Sequence, residues 1–110
     1  MKVTHVHVKV SNLDSAVQWF KSMLGLHPSQ VFDDCCVYTF GNMKLALDKA
    51  TTDSEAIIAL ESKDCDYDYE SLVKNGAKGI QEPKNFSTGS RAAILQGPGK
   101  LKIEIDQILS

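Results

Sequence analysis

Two histidines, His5 and His7, stand in the alternating run His5-Val6-His7-Val8-Lys9-Val10. In a strand both imidazoles project from the side opposite Val6, Val8 and Val10, with Cβ atoms roughly 6–7 Å apart. A pair so placed could chelate one ion or hydrogen-bond a ligand. Near the other end of the chain Glu104 sits between Ile103 and Ile105. When the isoleucines turn inward, the carboxylate turns the opposite way, where burial would demand a partner. A His5–Glu104 hydrogen bond would satisfy both groups without any ion. Glu61 is a further carboxylate able to move a proton. Arg91 follows Gly89-Ser90; its planar fork suits a carboxylate or phosphate, or it simply ends a strand in solvent. Lys44 and Lys102 fall on the polar sides of their strands, where their charge opposes a bound cation.

The cysteines carry less. Cys35 and Cys36 are adjacent, so a strand sends one thiol to each face, one into the core and one out of it. Cys65 falls at the entry of a helix, where it packs, and nothing nearby supplies the base of a thiol catalyst. Three cysteines cannot all pair within one chain. With no apolar leader in residues 1–10, they read as reduced thiols in a cytoplasm.

These residues need scaffolding, and the chain describes it twice. Ser11 and Ser62 are 51 positions apart, as are Gly25 and Gly76. Each interval holds the end of a strand, a helical stretch and a glycine stop. In the first copy Ser11 and Asp14 resemble a capping box. Leu13, Ala16, Val17, Phe20 and Leu24 form the buried stripe, with Trp19 off it, and Gly25 ends the helix. Strands over Val31–Phe40 and Met43–Asp48 meet at the Gly41-Asn42 turn, with Lys44, Ala46 and Asp48 sharing one face of the second. The polar stretch 51–54 links the copies. The second copy has a strand over Ala56–Glu61 and a weaker helix over Tyr67–Asn75, whose acidic entry complements the helix dipole. A short strand, Ile80–Pro83, ends at proline, and residues 84–90 are expected to form a loop that could act as a lid. The strands Arg91–Gln96 and Leu101–Ile108 are joined by Gly97-Pro98-Gly99. The expected fold class is α+β, with two tandem βαβββ modules whose curved mixed sheets enclose a cleft, a natural ligand site. Residues 1–110 form one domain, with module 1 over about 1–50 and module 2 over about 55–110.

Bulk properties narrow the partners. The composition is ordinary for a globular chain, and a net charge of -2 leaves no basic footprint for nucleic acid. The apolar runs are too short to span a bilayer, so no membrane partner is expected.

The order of these motifs resembles the vicinal oxygen chelate superfamily, which includes glyoxalase I, extradiol dioxygenases, fosfomycin-inactivating transferases and bleomycin-sequestering proteins. The resemblance is carried by His5 through Asp14, by Trp19-Phe20 and Met23-Leu24-Gly25-Leu26, and by Glu82-Pro83, Gly89-Ser90-Arg91 and Gly97 through Ile105. Metal-dependent members place one ligand on each of four strands. By resemblance those positions fall on His5, near Ala46, on Ile57 (or Ala56, one residue earlier) and on Glu104. His5 and Glu104 can bind a metal; alanine and isoleucine cannot. Catalytic zinc sites take about three protein ligands, so half the set is a poor site.

The resemblance therefore implies a glyoxalase/bleomycin resistance-like protein that binds a small organic molecule in the inter-module cleft without a metal cofactor, as a homodimer. Its cleft residues are His5, His7, Lys44, Ala46, Ile57, Glu61, Arg91 and Glu104, and no catalytic residue is assigned. The alternative is a divalent-metal-dependent lyase, isomerase or dioxygenase using His5 and Glu104 as ligands, helped by His7 or a second subunit. A metal-free acid–base enzyme built on Glu61, Glu104 or His5, and a purely structural or regulatory domain with an empty cleft, also stay open.

Overall fold

The computed structural model describes residues 1–109. The chain is α+β, with two tandem βαβββ modules, as expected. The first module contains β1 (His5–Val10), α1 (Leu13–Leu24), β2 (Gln30–Val31), β3 (Cys35–Phe40) and β4 (Met43–Lys49). The second contains β5 (Ala56–Glu61), α2 (Cys65–Lys74), β6 (Lys78–Phe86), β7 (Ser90–Gln96) and β8 (Leu101–Ile108). Two compact units result, Met1–Glu55 with Pro98–Lys100, and Ala56–Gly97 with the residues from Leu101 onward.

Each module carries one four-stranded mixed sheet, ordered β1-β4-β3-β2 in the first and β5-β8-β7-β6 in the second. The β1–β4 and β5–β8 pairs are parallel, and all other pairs are antiparallel. In the first module Val8, Val10, Leu45, Leu47, Cys36 and Tyr38 are buried. They share the face on which Phe20 of α1 meets the Tyr38 ring edge-on, with centroids 5.1 Å apart. The second module buries Leu101, Ile103, Ile105, Ala93 and Leu95 on one face of its sheet. Each fully buried leucine or isoleucine contributes about 1.5–3 kcal/mol of transfer free energy. The helices are unequal: α1 buries Leu13, Ala16 and Phe20, whereas α2 buries only Cys65.

Several expectations need correction. The first N-cap is Asn12, whose Oδ1 accepts from Ser15 N at 3.0 Å. Ser11 turns instead to Asp53, whose Oδ1 accepts from its backbone N–H at 2.8 Å. The linker is thereby laced to β1, since Ser54 also exchanges hydrogen bonds with the backbone of Lys9. The single strand expected over Val31–Phe40 is two strands, reversed at Phe32-Asp33-Asp34. The second helix starts earlier than expected, at Cys65, because Asp64 caps it by accepting from Tyr67 N.

The lid is not a loop. Lys84, Asn85 and Phe86 pair with Ala92, Arg91 and Ser90, which leaves a turn of three residues. Pro83 sits inside β6 where the register with β7 shifts. A proline is tolerated at such an irregularity on an edge strand, because no ladder hydrogen bond is asked of it.

The duplication also has a different step. The N-caps Asn12 and Asp64 are 52 positions apart, one more than the serines suggested. The second helix is two residues shorter, so the C-caps Gly25 and Asn75 are 50 positions apart, and Gly76 lies one residue past its cap. Ser62 is therefore the counterpart of Val10, and both are buried at a strand end.

Candidate functional site

Each sheet has one face against its helix and one face away from it, and the second of these collects most of the candidate residues. In the first module the β1–β4–β3 register forms three rows. They are His5 with Lys44 and Thr39, His7 with Ala46 and Val37, and Lys9 with Asp48 and Cys35. The sequence alternation sends all nine side chains to the same side, away from the valine face. His5, His7, Lys9, Lys44 and Thr39 are exposed, while Ala46 and Val37 are buried. The imidazoles of His5 and His7 stack, with centroids 6.0 Å apart and planes 14° from parallel. The sequence thus anticipated the side on which His5, His7, Lys44 and Ala46 lie. It did not show that Asp48 meets His7, because a parallel partner's register cannot be read from one strand.

The second module repeats the arrangement. Its rows are Ile57 with Lys102 and Gln96, Ala59 with Glu104 and Ile94, and Glu61 with Asp106 and Ala92. Ile57 and Glu61 are exposed and Glu104 is half-buried. Asp106 belongs to this face though it was not among the candidates; alternation from Glu104 could have found it. Its Oδ1 is buried and has no hydrogen-bond partner among the described residues.

Arg91 is not part of this face. In β7 it pairs with Gln107 and Asn85, the rows that alternate with those of Glu104, and it is engaged by Asp66 of α2 and by Asn85. It lines a depression of about 330 Å³ with Asp66, Tyr69, Glu70, Glu82 and Pro83. The expectation that placed it with the cleft residues is corrected on strand parity. Arg91, Ala93 and Leu95 point toward the helix, and Ala92 and Ile94 point away.

The two registers clarify the metal question. His5 and Ile57 occupy equivalent positions, one row before Ala46 and Glu104 respectively. Each sheet therefore keeps one competent donor of a two-donor pair, His5 in the first and Glu104 in the second. Among the described residues no three His, Cys, Asp or Glu side chains gather as a metal-ligand group. The donor set does not fit the metal that metal-dependent members of the superfamily use.

The thiols are held protonated. Burial, a hydrogen bond to Asp48 and the charges of Asp48 and Asp34 push Cys35 up to about 11. Burial also raises Cys36, with help from Asp14, and burial raises Cys65. A thiol raised in this way is a poor nucleophile at neutral pH.

Comparison with known proteins agrees with this geometry. The family model of the Glyoxalase/Bleomycin resistance protein/Dioxygenase superfamily matches residues 2–105. A glyoxalase/bleomycin resistance protein/dioxygenase from Nocardioides is 19% identical with a TM-score of 0.83, covering 100% of this chain and 85% of the other. A glyoxalase-related enzyme from Fulvimarina pelagi is 13% identical with a TM-score of 0.80, covering 97% and 88%. Lactoylglutathione lyase from Agrobacterium tumefaciens is 11% identical with a TM-score of 0.80, covering 96% and 92%. At these identities the likeness is one of fold. No curated protein sequence matches the chain.

Proposed function

The chain belongs to the glyoxalase/bleomycin resistance protein/dioxygenase superfamily, and we propose that it binds a small organic molecule between the helix-free faces of its two sheets, without a metal. The observation that carries this reading is the pair of registers. At the positions where metal-dependent relatives carry ligands, Ala46 and Ile57 offer no donor atom. His5, His7, Lys44, Glu61 and Glu104 remain as polar groups able to orient a ligand by hydrogen bonds and charge. A homodimer that completes the cleft and a cytoplasmic location belong to the same proposal. Free Cys35, Cys36 and Cys65 are in keeping with that location. No helix of the described residues is long and apolar enough to cross a membrane.

The test is a thermal-shift and calorimetric screen of the chelator-treated protein. Small organic acids, amines and neutral aromatics are each titrated with and without zinc, nickel, manganese or ferrous iron. A ligand at 100 times its dissociation constant stabilises the fold by about 2.7 kcal/mol, readily visible as a shift. The expected result is a saturable response to an organic compound that no metal alters. A saturable metal response, lost in both His5→Ala and Glu104→Ala, would overturn the reading in favour of a metalloenzyme.

A further inference from the structure

The most specific polar geometry on the helix-free face of the first sheet is centred on His7, which stands one row from Asp48. Asp48 Oδ2 lies 2.8 Å from His7 Nδ1. A carboxylate only accepts, so the hydrogen of this bond is on Nδ1. Asp48 is also the register partner of Cys35, whose thiol hydrogen-bonds to it. One carboxylate thus takes two donors, one from each neighbouring strand. Stacking on His5 further restricts the His7 ring. In the neutral ring the remaining nitrogen, Nε2, then carries the lone pair, on a side chain 62% exposed. Free imidazole side chains favour the opposite form, with the hydrogen on Nε2. Asp48 therefore reverses what His7 offers, from a donor to an acceptor.

The charges around His7 set what would approach it. On this face β1 contributes His5 and Lys9, β4 contributes Lys44 and Asp48, and β3 contributes Cys35. The single carboxylate is already engaged. Among the described residues no carboxylate pairs with Lys9 or Lys44. On this sheet the charges favour an anion, while Nε2 calls for a donor.

We propose that Asp48 locks His7 as the Nδ1–H tautomer, so that Nε2 is a fixed hydrogen-bond acceptor selecting small organic anions that also carry a hydroxyl or N–H group. This rests on the reading of the helix-free faces as ligand-binding. Asp48 and Cys35 are positioning residues, and His7 is the group that meets the ligand. Removing the ligand's donor hydrogen, with the anion kept, should then cost affinity by the worth of one hydrogen bond, about fivefold.

The first measurement needs no ligand. Long-range proton–nitrogen correlation spectra of the full chain, labelled at histidine and recorded at mildly alkaline pH, report which ring nitrogen of His7 bears hydrogen. The expected result is hydrogen on Nδ1 in the wild type and its return to Nε2 in Asp48→Leu. Hydrogen on Nε2 of wild-type His7 would overturn the proposal whatever the variants do. The second measurement titrates glycolate and methoxyacetate, which share a carboxylate and differ in that a methyl group replaces the hydroxyl hydrogen, following the backbone amides of β1 and β4. Glycolate should bind about fivefold tighter, and the preference should vanish in His7→Phe. Equal affinities, or no saturable response to either anion, would overturn the proposed selectivity. Other organic compounds binding these faces with no response at His7 would also sink it, while leaving the broader binding reading intact.

Discussion

Arg91 grips Asp66 through two parallel hydrogen bonds, Nε to Oδ2 at 2.7 Å and Nη2 to Oδ1 at 2.9 Å, and Nη1 reaches Asn85 Oδ1 at 3.0 Å. One guanidinium thereby ties α2 to β7 and to the edge strand β6. The contact matters because α2 buries so little apolar surface of its own.

That pair has a signed pH dependence. The hydrogen bond from Arg91 holds the Asp66 carboxyl below the usual carboxylate range. A depressed folded value means that stability is present above the unfolded carboxyl value, about 3.9, and is lost as pH falls through the folded value. Asp66→Asn should therefore melt slightly below the wild type at neutral pH. The two melting curves should converge in acid as Asp66 of the wild type takes up its proton. The effect is small because the pair is open to solvent. Melting temperatures measured from about pH 7 to about pH 2 decide it; a gap that persists unchanged at the acid end would show that Asp66 acts by packing.

The cap at Asn12 makes a sharper prediction. Asn12→Ala removes the acceptor for Ser15 N and should cost about 1 kcal/mol in denaturant unfolding. Ser11→Ala keeps the backbone hydrogen bond to Asp53 and loses only exposed hydroxyl contacts, so it should cost less than about 0.5 kcal/mol. The capping-box reading of the sequence implies the reverse order, so the pair of variants separates the two.

That reversal shows where sequence reasoning stops. Strand parity was legible because valines at alternate positions can be buried in only one way, and it placed His5, His7, Lys44 and Ala46 on one face. The glycine at the first helix end and the one in the first hairpin turn were legible because Gly25 and Gly41 adopt the left-handed backbone that other residues avoid. Choosing among Ser11, Asn12 and Asp14 as cap was not, since all three have short polar side chains, and Asp53, far along the chain, decided it. Pro83 was misleading for the same reason. Proline excludes a regular ladder position, but only the pairing partner reveals that β6 is an edge strand with room for an irregularity. Arg91 was misplaced because its parity depends on where β7 begins, at Ser90.

Tyr38 predicts a gain. The ring is 1% exposed and packs between Phe20 and Phe40. Its hydroxyl is buried with no hydrogen-bond partner among the described residues, and burial pushes its pKa up to about 12. An unsatisfied buried hydroxyl costs about 1–3 kcal/mol of desolvation. Tyr38→Phe keeps the aromatic packing and removes that cost, so it should raise the unfolding free energy, by about 1 kcal/mol. Urea titration of both proteins checks this; a loss of more than about 0.5 kcal/mol would mean that the hydroxyl finds a partner in solution.

The missing ligands can be put back at an exposed position. Ile57 is 59% exposed, so Ile57→His should change stability by no more than about 0.5 kcal/mol. It stands one row from Glu104 on the same face of the second sheet. If the two sheets share a cleft as proposed, the new imidazole joins His5 and Glu104 as a third donor, the number at which catalytic-type zinc sites become competent. Zinc or nickel should then raise the melting temperature of Ile57→His saturably while leaving the wild type unmoved. The added effect should disappear when His5→Ala or Glu104→Ala is combined with it. A response that survives the loss of His5 would place the ion on the second sheet alone. No response at all would count against the cleft proposed above.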